Sequence, residues 1–421
     1  MYIKGNPGES SQLHFSSEGL YQQAVSLWEN SWGGGLSAGI QKVSPREKRE
    51  NEKALLQLIE KMEKAASQEK LEKVLKKFFL EGPVFSREAK EIFKDPDFFK
   101  SSKAFIKKVQ DYEPEIPKED VGQAFRNVWI MNMLQKAFML PVSCSDGVFG
   151  YSMLYPYTDN FMDDPEVEMK EKYSASQRLK QRLSGEKIKS RGKNERKIYD
   201  MIAKIEQTYP RESCPEVFQS LLYIHQCQVD SLKQQLGKST KNPQKDWETA
   251  SRQQEILRIS VHKGGASVLA DGYLVKGVLD PDEQKFCFNY GVLLQMADDL
   301  QDCKGDYQNG HQTLFSVDYG GTDFDRRAHQ LIRFSARTFW DFFNGKKAGG
   351  MEVFLRENTL LLILGSVLIN PSCFSPRYLH WAEERFPVSR RFLETQQRLL
   401  GEKFKQATMK RTDNSYEPVV K

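Results

Sequence analysis

The sequence predicts an all-α protein, and three observations support this prediction. Apolar residues recur three and four positions apart through most of the chain, which is the spacing of one face of a helix. No hairpin turn joins two alternating segments, and no repeat of fixed period is visible. The most apolar run, residues 359–369, is too short to cross a bilayer and indicates a buried helix.

Composition and charge limit the class of protein. The 421 residues are 39% hydrophobic, which is enough for the core of one large domain or two average ones. The 62 Lys and Arg against 57 Asp and Glu leave a net charge of +5, which does not indicate a nucleic-acid partner. Six cysteines without a CxxC pair favour neither a zinc site nor a disulfide framework. Because no apolar segment follows a basic one at the N-terminus, we expect no signal peptide and a cytoplasmic protein.

Three regions follow one another along the chain. Residues 48–112 are dense in Lys, Glu, Leu and Phe at helical spacing, so residues 1–117 are interpreted as an N-terminal helical extension. Its role stays open between capping a pocket, forming a homodimer and touching a membrane surface. Two prolines in 114–120 mark the boundary. Residues 118–405 are predicted to form the helical core, and 406–421 a polar tail.

A strongly basic segment, 178–197, interrupts the core. One interpretation is a solvated loop or helix end. The other is a mobile flap that closes over an anion.

Two acidic clusters interrupt apolar or aromatic segments instead of lying on charged surfaces. They consist of Asp159, Asp163 and Asp164, and of Asp298, Asp299 and Asp302. In each cluster two carboxylates are four residues apart, about 6 Å on one helix face. Packing both segments in one bundle would gather unpaired charge in an apolar cavity, which is very costly. Magnesium, which takes oxygen ligands and shares them with phosphates and water, would resolve this repulsion.

The segment GVLLQMADDLQDCKGD, 291–306, resembles the second aspartate-rich motif of trans-prenyl diphosphate synthases, Phe-Gln-x-x-Asp-Asp-x-x-Asp, with Leu294 in place of Phe. VHKGGASVL is similar to the His-x-Lys-Thr-Gly-Ala-Leu segment of that family, and Lys263 stands where the family has its diphosphate-binding lysine. The first cluster resembles the Asp-x-x-x-Asp form of squalene and phytoene synthases and of some bacterial large terpene synthases. The resemblance covers 150–170 and 255–306 and is undetectable before about 118. It implies the class I isoprenoid synthase fold, a helical bundle around a central apolar cavity.

The resemblance also implies roles for individual residues. Three Mg²⁺ ions with bound diphosphate would be held by the six aspartates, with Asp159, Asp163, Asp298 and Lys263 as catalytic residues. Lys263, Gln295, Arg252 and Arg258 would bind the diphosphate. Gly264 and Gly265 would allow close backbone approach to a ligand. The alternative for Lys263 is a solvated helix-end lysine. Gln295 would hold a metal-bound water or an Asp carboxylate, or else join two helices by a hydrogen bond.

Aromatic residues near the first cluster are candidates for the walls of a pocket that excludes water from a carbocation. They are Tyr151, Tyr155, Tyr157, Phe125 and Trp129, with Phe161 as a further candidate. Tyr155 is a hypothetical floor, because in the family bulky residues upstream of the first motif limit the chain length. The alternative for all of them is core packing, which is more common for aromatics at helical spacing.

The sequence therefore predicts a terpene synthase that ionises one linear C15–C25 prenyl diphosphate and releases pyrophosphate with a hydrocarbon or alcohol. The family's Gly-Gly-Lys-x-x-Arg-Pro segment and Arg-Arg pair for isopentenyl diphosphate are missing. Two alternatives stay open. One is a prenyltransferase that condenses two diphosphates, and the other is a non-catalytic helical scaffold.

Overall fold

A computed structural model describes residues 16–32, 40–65, 68–164, 167–234, 250–346 and 349–399. Every regular element in these ranges is helical, and none of them contains a β-strand. The all-α prediction is therefore confirmed for this part of the chain. No helix in these ranges combines the length and the apolar character needed to cross a bilayer.

The N-terminal region forms five helices: α1 (Ser17–Glu29), α2 (Pro45–Glu63), α3 (Gln68–Glu81), α4 (Arg87–Phe93) and α5 (Pro96–Tyr112). Serine or aspartate caps four of them, and Ser44 and Glu47 form a complete capping box at α2. Their apolar faces are not a separate unit. Trp28, Phe93 and Phe105 belong to the same buried cluster as the residues of the later helices.

The later helices are α6 (Lys118–Ala137), α7 (Asp146–Asp163), α8 (Met169–Leu183), α9 (Lys193–Thr208), α10 (Pro215–Ser231), α11 (Ala250–Lys276), α12 (Pro281–Asn309), α13 (Phe324–Phe343), α14 (Met351–Ile369), α15 (Pro376–Glu383) and α16 (390–399). The start of α12 is fixed by a capping box of Asp280 and Glu283. Its end is fixed by Gly310 in the left-handed conformation.

Glycines bring α11 and α12 unusually close together. A Cβ atom added at Gly291 would lie 2.1 Å from the carbonyl oxygen of Gly264, and one at Gly265 would lie 2.4 Å from the ring of Phe288. A third close contact joins Gly272 to Cys287, 2.6 Å from the added Cβ to Sγ. Gly264 and Gly265 therefore serve helix packing, which corrects the expectation that they admit a ligand.

The basic segment 178–197 comprises the end of α8, a loop and the start of α9. Arg178 donates to both carboxylate oxygens of Glu195, at 2.6 and 2.9 Å. Arg182 binds Glu206 in the same bidentate way, at 2.7 and 2.5 Å. Because these arginines are already paired with carboxylates, the geometry agrees with the interpretation as a helix end and loop and not with a mobile flap.

Candidate functional site

The second acidic cluster lies on α12 around the side chain of Lys263 on α11. Burial and the negative charge of Asp298 raise the pKa of Asp299 to about 7. Burial and the charge of Asp302 also raise the pKa of Asp298, although Asp298 is exposed to solvent. Lys263 lowers the pKa of both Asp298 and Asp299. A solvent-exposed group that is still surrounded by protein is expected in the wall of a cleft.

Hydrogen bonds fix Asp299 in place. Gln295 Nε2 donates to Asp299 Oδ1 at 2.8 Å, one turn away on the same helix. Ser260 Oγ on α11 donates to Oδ2 at 3.3 Å, and Gln234 Nε2 donates in turn to Ser260 Oγ at 3.3 Å. Gln295 thus holds an aspartate carboxylate, which is one of the two roles expected for it. Asp298 and Asp302, in contrast, accept no hydrogen bond from the described residues.

Two further charged residues, neither of them among the predicted site residues, complete this cluster. Burial, together with the charges of Asp302 and Asp298, raises the pKa of Asp306 to about 6. The positive charge of Arg126, on α6, lowers the pKa of Asp298. Arg126 lies in no recognisable motif, so no sequence signal identified it. Asp306 follows the matched motif by one helical turn, and this position was the available signal.

The first acidic cluster lies at the C-terminal end of α7. Asp159 is half-buried, and its Oδ1 accepts a hydrogen bond from Gln228 Nε2 of α10 at 3.0 Å. Asp164 is the residue that ends the helix. The side chain of Asp163 lies outside the described part of the structure, so its predicted role stays a prediction.

Two contacts show how α7 is aligned with α11. Tyr155 Oη lies 2.9 Å from Ser267 Oγ. Asn127 of α6 donates to Ser152 Oγ at 3.4 Å, and its amide also lowers the pKa of Asp271. Asp271 therefore lies beside residues 151–152, and Ser267 lies beside Tyr155.

The two helices consequently run antiparallel. Asp159 lies one helical turn after Tyr155 on α7, and Lys263 lies one helical turn before Ser267 on α11. Because the helices are antiparallel, Asp159 and Lys263 are at the same height along the bundle. Since Lys263 also lies among the carboxylates of α12, the two acidic clusters occupy the same end of the bundle. Tyr151 and Asp271 face one another about two turns further into the bundle. Asp271 is fully buried.

The carboxylates suit a cation that brings other ligands with it. In the described side chains, no three Asp, Glu, His or Cys groups form a ready metal site. Magnesium commonly uses one or two carboxylates and takes its other ligands from phosphates and water. Asp298 and Asp302 fit that kind of site, because they repel each other and their oxygens are open to solvent.

An apolar cavity of about 360 Å³ lies between α7, α8, α9 and α10. Tyr157, Phe161, Ile198 and Val229 are among its lining residues. This volume lies within the range of about 300–1,000 Å³ that is usual for small-molecule sites. Gln228, which donates to Asp159, is also in its wall, so the apolar space adjoins the first acidic cluster.

A smaller cavity of about 40 Å³ is lined by Tyr151 and Tyr155 and shares Thr158, His225 and Gln228 with the larger one. Three of the five predicted pocket residues, Tyr151, Tyr155 and Tyr157, thus border one of these cavities.

Phe125 and Trp129 have a different environment from the one expected. The ring of Trp129 lies 4.5 Å from that of Phe98 and 6.3 Å from that of Phe125, centroid to centroid. The ring of Phe125 is also 6.0 Å from that of Phe105. Both side chains pack in the aromatic core between α5 and α6 and line neither of the two cavities described above, which corrects their assignment to the pocket.

The two arginines expected to assist Lys263 are also placed elsewhere. Arg258 lies five residues before Lys263, which is about 140° around the helix. Its guanidinium is 6.0 Å from the ring of Tyr21 and 3.9 Å from Glu18, so it faces α1. Arg252 Nε donates to Gln312 Oε1 at 2.8 Å, and its Nη1 donates to Glu255 at 2.6 Å. Diphosphate binding by these arginines is therefore not supported by their positions.

Comparison with known proteins adds no family assignment, because no protein-family model, curated protein or solved structure matches this chain. The function must accordingly be argued from the geometry of Lys263, the acidic clusters and the apolar cavity.

Proposed function

We propose that this protein is a magnesium-dependent class I terpene synthase, which ionises one linear C15–C25 prenyl diphosphate. The observation that carries the proposal is the position of Lys263. It lies among the carboxylates of α12 and at the level of Asp159 on α7, at one end of the bundle. An alternation of negative and positive groups, with Asp298 and Asp302 exposed to solvent, suits an anion that binds together with a dication.

The residues of this end would divide the binding of the diphosphate. Asp298 and Asp302, with Asp159 opposite, would hold Mg²⁺, which when bound would neutralise charge on the leaving diphosphate. Lys263 would donate directly to the diphosphate oxygens. Asp299, held by Gln295 and Ser260, would keep α12 in register with α11.

The cavity beside Asp159 would hold the hydrocarbon chain. The apolar part of its wall would keep water away from the carbocation, which water would otherwise convert to an alcohol. The rings of Tyr157 and Phe161 offer π-faces that stabilise a nearby cation by about 0.5–2 kcal/mol each.

The test is pyrophosphate release from farnesyl, geranylgeranyl and geranylfarnesyl diphosphate, each supplied singly with and without Mg²⁺. We expect release that depends on Mg²⁺ and falls by about 10²-fold or more in Asp298→Asn and Asp159→Asn, because the groups that bind the leaving charge are lost. Asp341→Asn is the matched control, since this exposed aspartate on α13 pairs, among the described residues, only with Lys285, at 3.3 Å. Absence of release from every single substrate would refute the proposal.

A second candidate, a prenyltransferase that condenses two diphosphates, is favoured by Arg126. This exposed guanidinium lies close enough to Asp298 to lower its pKa and could bind a second anion. The prenyltransferase would release pyrophosphate only after isopentenyl diphosphate is added, and Arg126→Met would raise the KM for that substrate alone.

A further inference from the structure

Among the described residues, His225 is the one histidine in the walls of the two cavities beside Asp159. It is buried on α10, with 7% of its surface exposed, and lies three residues before Gln228. The two side chains therefore share a helix face, and this face points into the apolar space. No motif in the sequence singles out His225.

The partners of its ring determine which nitrogen is free. Nε2 lies 3.2 Å from Ser176 Oγ on α8. We assign the proton to Nε2, which then donates to this hydroxyl oxygen. Nδ1 then carries the lone pair, and it forms no hydrogen bond with the described residues.

Burial lowers the pKa of His225 to about 4, an effect that the charge of Lys180 reinforces. The imidazole is therefore neutral at neutral pH. The other wall residues include the carboxylate of Glu195, but that group is already paired with Arg178. The neutral imidazole is therefore a proton acceptor in the cavity wall, with Nδ1 without a hydrogen-bond partner among the described residues.

We propose that His225 is the base that removes the final proton from the carbocation, and this inference rests on the function proposed above. A C–H bond next to the cationic carbon breaks, and its electron pair forms the carbon–carbon double bond. The proton passes to Nδ1, which gives a neutral alkene and an imidazolium. The imidazolium returns its proton to water after the product leaves. His225 thereby directs the reaction to a hydrocarbon in place of an alcohol.

A merely structural role for His225 makes a different prediction. If the imidazole only joined α10 to α8 through Ser176, its replacement would lower stability and turnover together without changing the product. A base acts after ionisation, so its loss should change the product formed from the cation more than it lowers pyrophosphate release.

The experiment compares wild type, His225→Phe, His225→Asn and Ser176→Ala with His380→Phe, an exposed histidine on α15 that serves as the control. Pyrophosphate release and the products extracted from each reaction are measured with the most active prenyl diphosphate, the products by gas chromatography–mass spectrometry. We expect the ratio of alkene to alcohol to fall at least tenfold in both His225 variants, while pyrophosphate release falls much less than the loss of about 10²-fold expected for Asp298→Asn. Ser176→Ala, which retains the imidazole, should keep most of the alkene.

Two results would overturn the inference while leaving the proposed function standing. One is an unchanged alkene, with the same double-bond position, from both His225 variants. The other is a wild-type product that consists of alcohol alone. If the wild type releases no pyrophosphate from any single substrate, the proposed function fails and the role of His225 as base fails with it. Circular dichroism of each variant separates these outcomes from misfolding, and His225→Asn covers the case in which His225→Phe does not fold.

Discussion

Replacing Gly291 by alanine tests whether the contact between α11 and α12 sets the geometry of the site. The added Cβ would lie 2.1 Å from Gly264 O, about 1.3 Å short of the 3.4 Å at which ordinary van der Waals contact begins. Its neighbours are backbone atoms, which cannot rotate away as a side chain can. The helices must therefore separate or shift along one another by about 1 Å, and such overpacking typically costs about 1–3 kcal/mol.

The same displacement should impair the chemistry. Lys263 is on α11 and Asp298 is on α12, so a shift between the two helices changes the distance between these side chains. A misplacement of about 1 Å can lower a rate by about 10²-fold. We expect Gly291→Ala to lower the urea midpoint, measured by far-UV circular dichroism, and to reduce pyrophosphate release by about this factor.

Gly122→Ala is the matched control, since this glycine on α6 has open space where its Cβ would be. It should stabilise the protein by about 0.5–1 kcal/mol, because alanine is the better helix former. A Gly291→Ala protein with the wild-type urea midpoint and rate would refute the reasoning.

Three further predictions concern stability and packing. Burial raises the pKa of Asp271 above its unfolded value of about 3.9. The contribution of Asp271 to the free energy of unfolding should therefore be largest below that pH and fall, as pH rises towards the folded pKa, by about 1.4 kcal/mol per unit. The difference in the free energy of unfolding between wild type and Asp271→Asn, measured by urea unfolding from pH 4 to 7, should change with this slope. Trp129→Ala should lower the free energy of unfolding by about 3–5 kcal/mol and leave the product spectrum unchanged, because this ring packs in the core. A changed product would return Trp129 to the pocket. Arg178→Met should cost about 1.5–3 kcal/mol in urea unfolding, because it leaves the largely buried Glu195 without its bidentate partner. An unchanged urea midpoint would show that the pair of Arg178 and Glu195 contributes nothing to the free energy of unfolding.

The helices themselves were predictable from local signals. Apolar spacing indicated the helices of 48–112, and Asp280 with Glu283 supplies a capping box whose spacing is visible in the sequence. These signals act over a few residues of the same chain segment. Helix class therefore follows from the sequence without knowledge of tertiary contacts.

The partners of individual helix faces could not be predicted in the same way. Gly264 next to Lys263 suggested room for a ligand, yet the neighbour that fills this room is Gly291, on another helix. Trp129 has the spacing of a pocket residue and of a core residue equally, and the surrounding phenylalanines decide between them. Arg126 and His225 belong to no motif, so only the packing of α6 and α10 brings them to the site.

The position of α11 links the stability of the fold to the proposed chemistry. One face of this helix touches α12 through Gly264, and another touches α7 through Ser267. Lys263 lies next to the first contact and one turn before the second. Both acidic clusters are consequently positioned relative to a single lysine by a single helix. A change at Gly264 should move Lys263 relative to the acidic cluster of α12, and a change at Ser267 should move it relative to the cluster of α7. In each case the position of Lys263 relative to the other cluster should stay largely intact. Variants of Gly264 and of Ser267 would therefore separate the contribution of α12 from that of α7, which substitution of Lys263 itself cannot do.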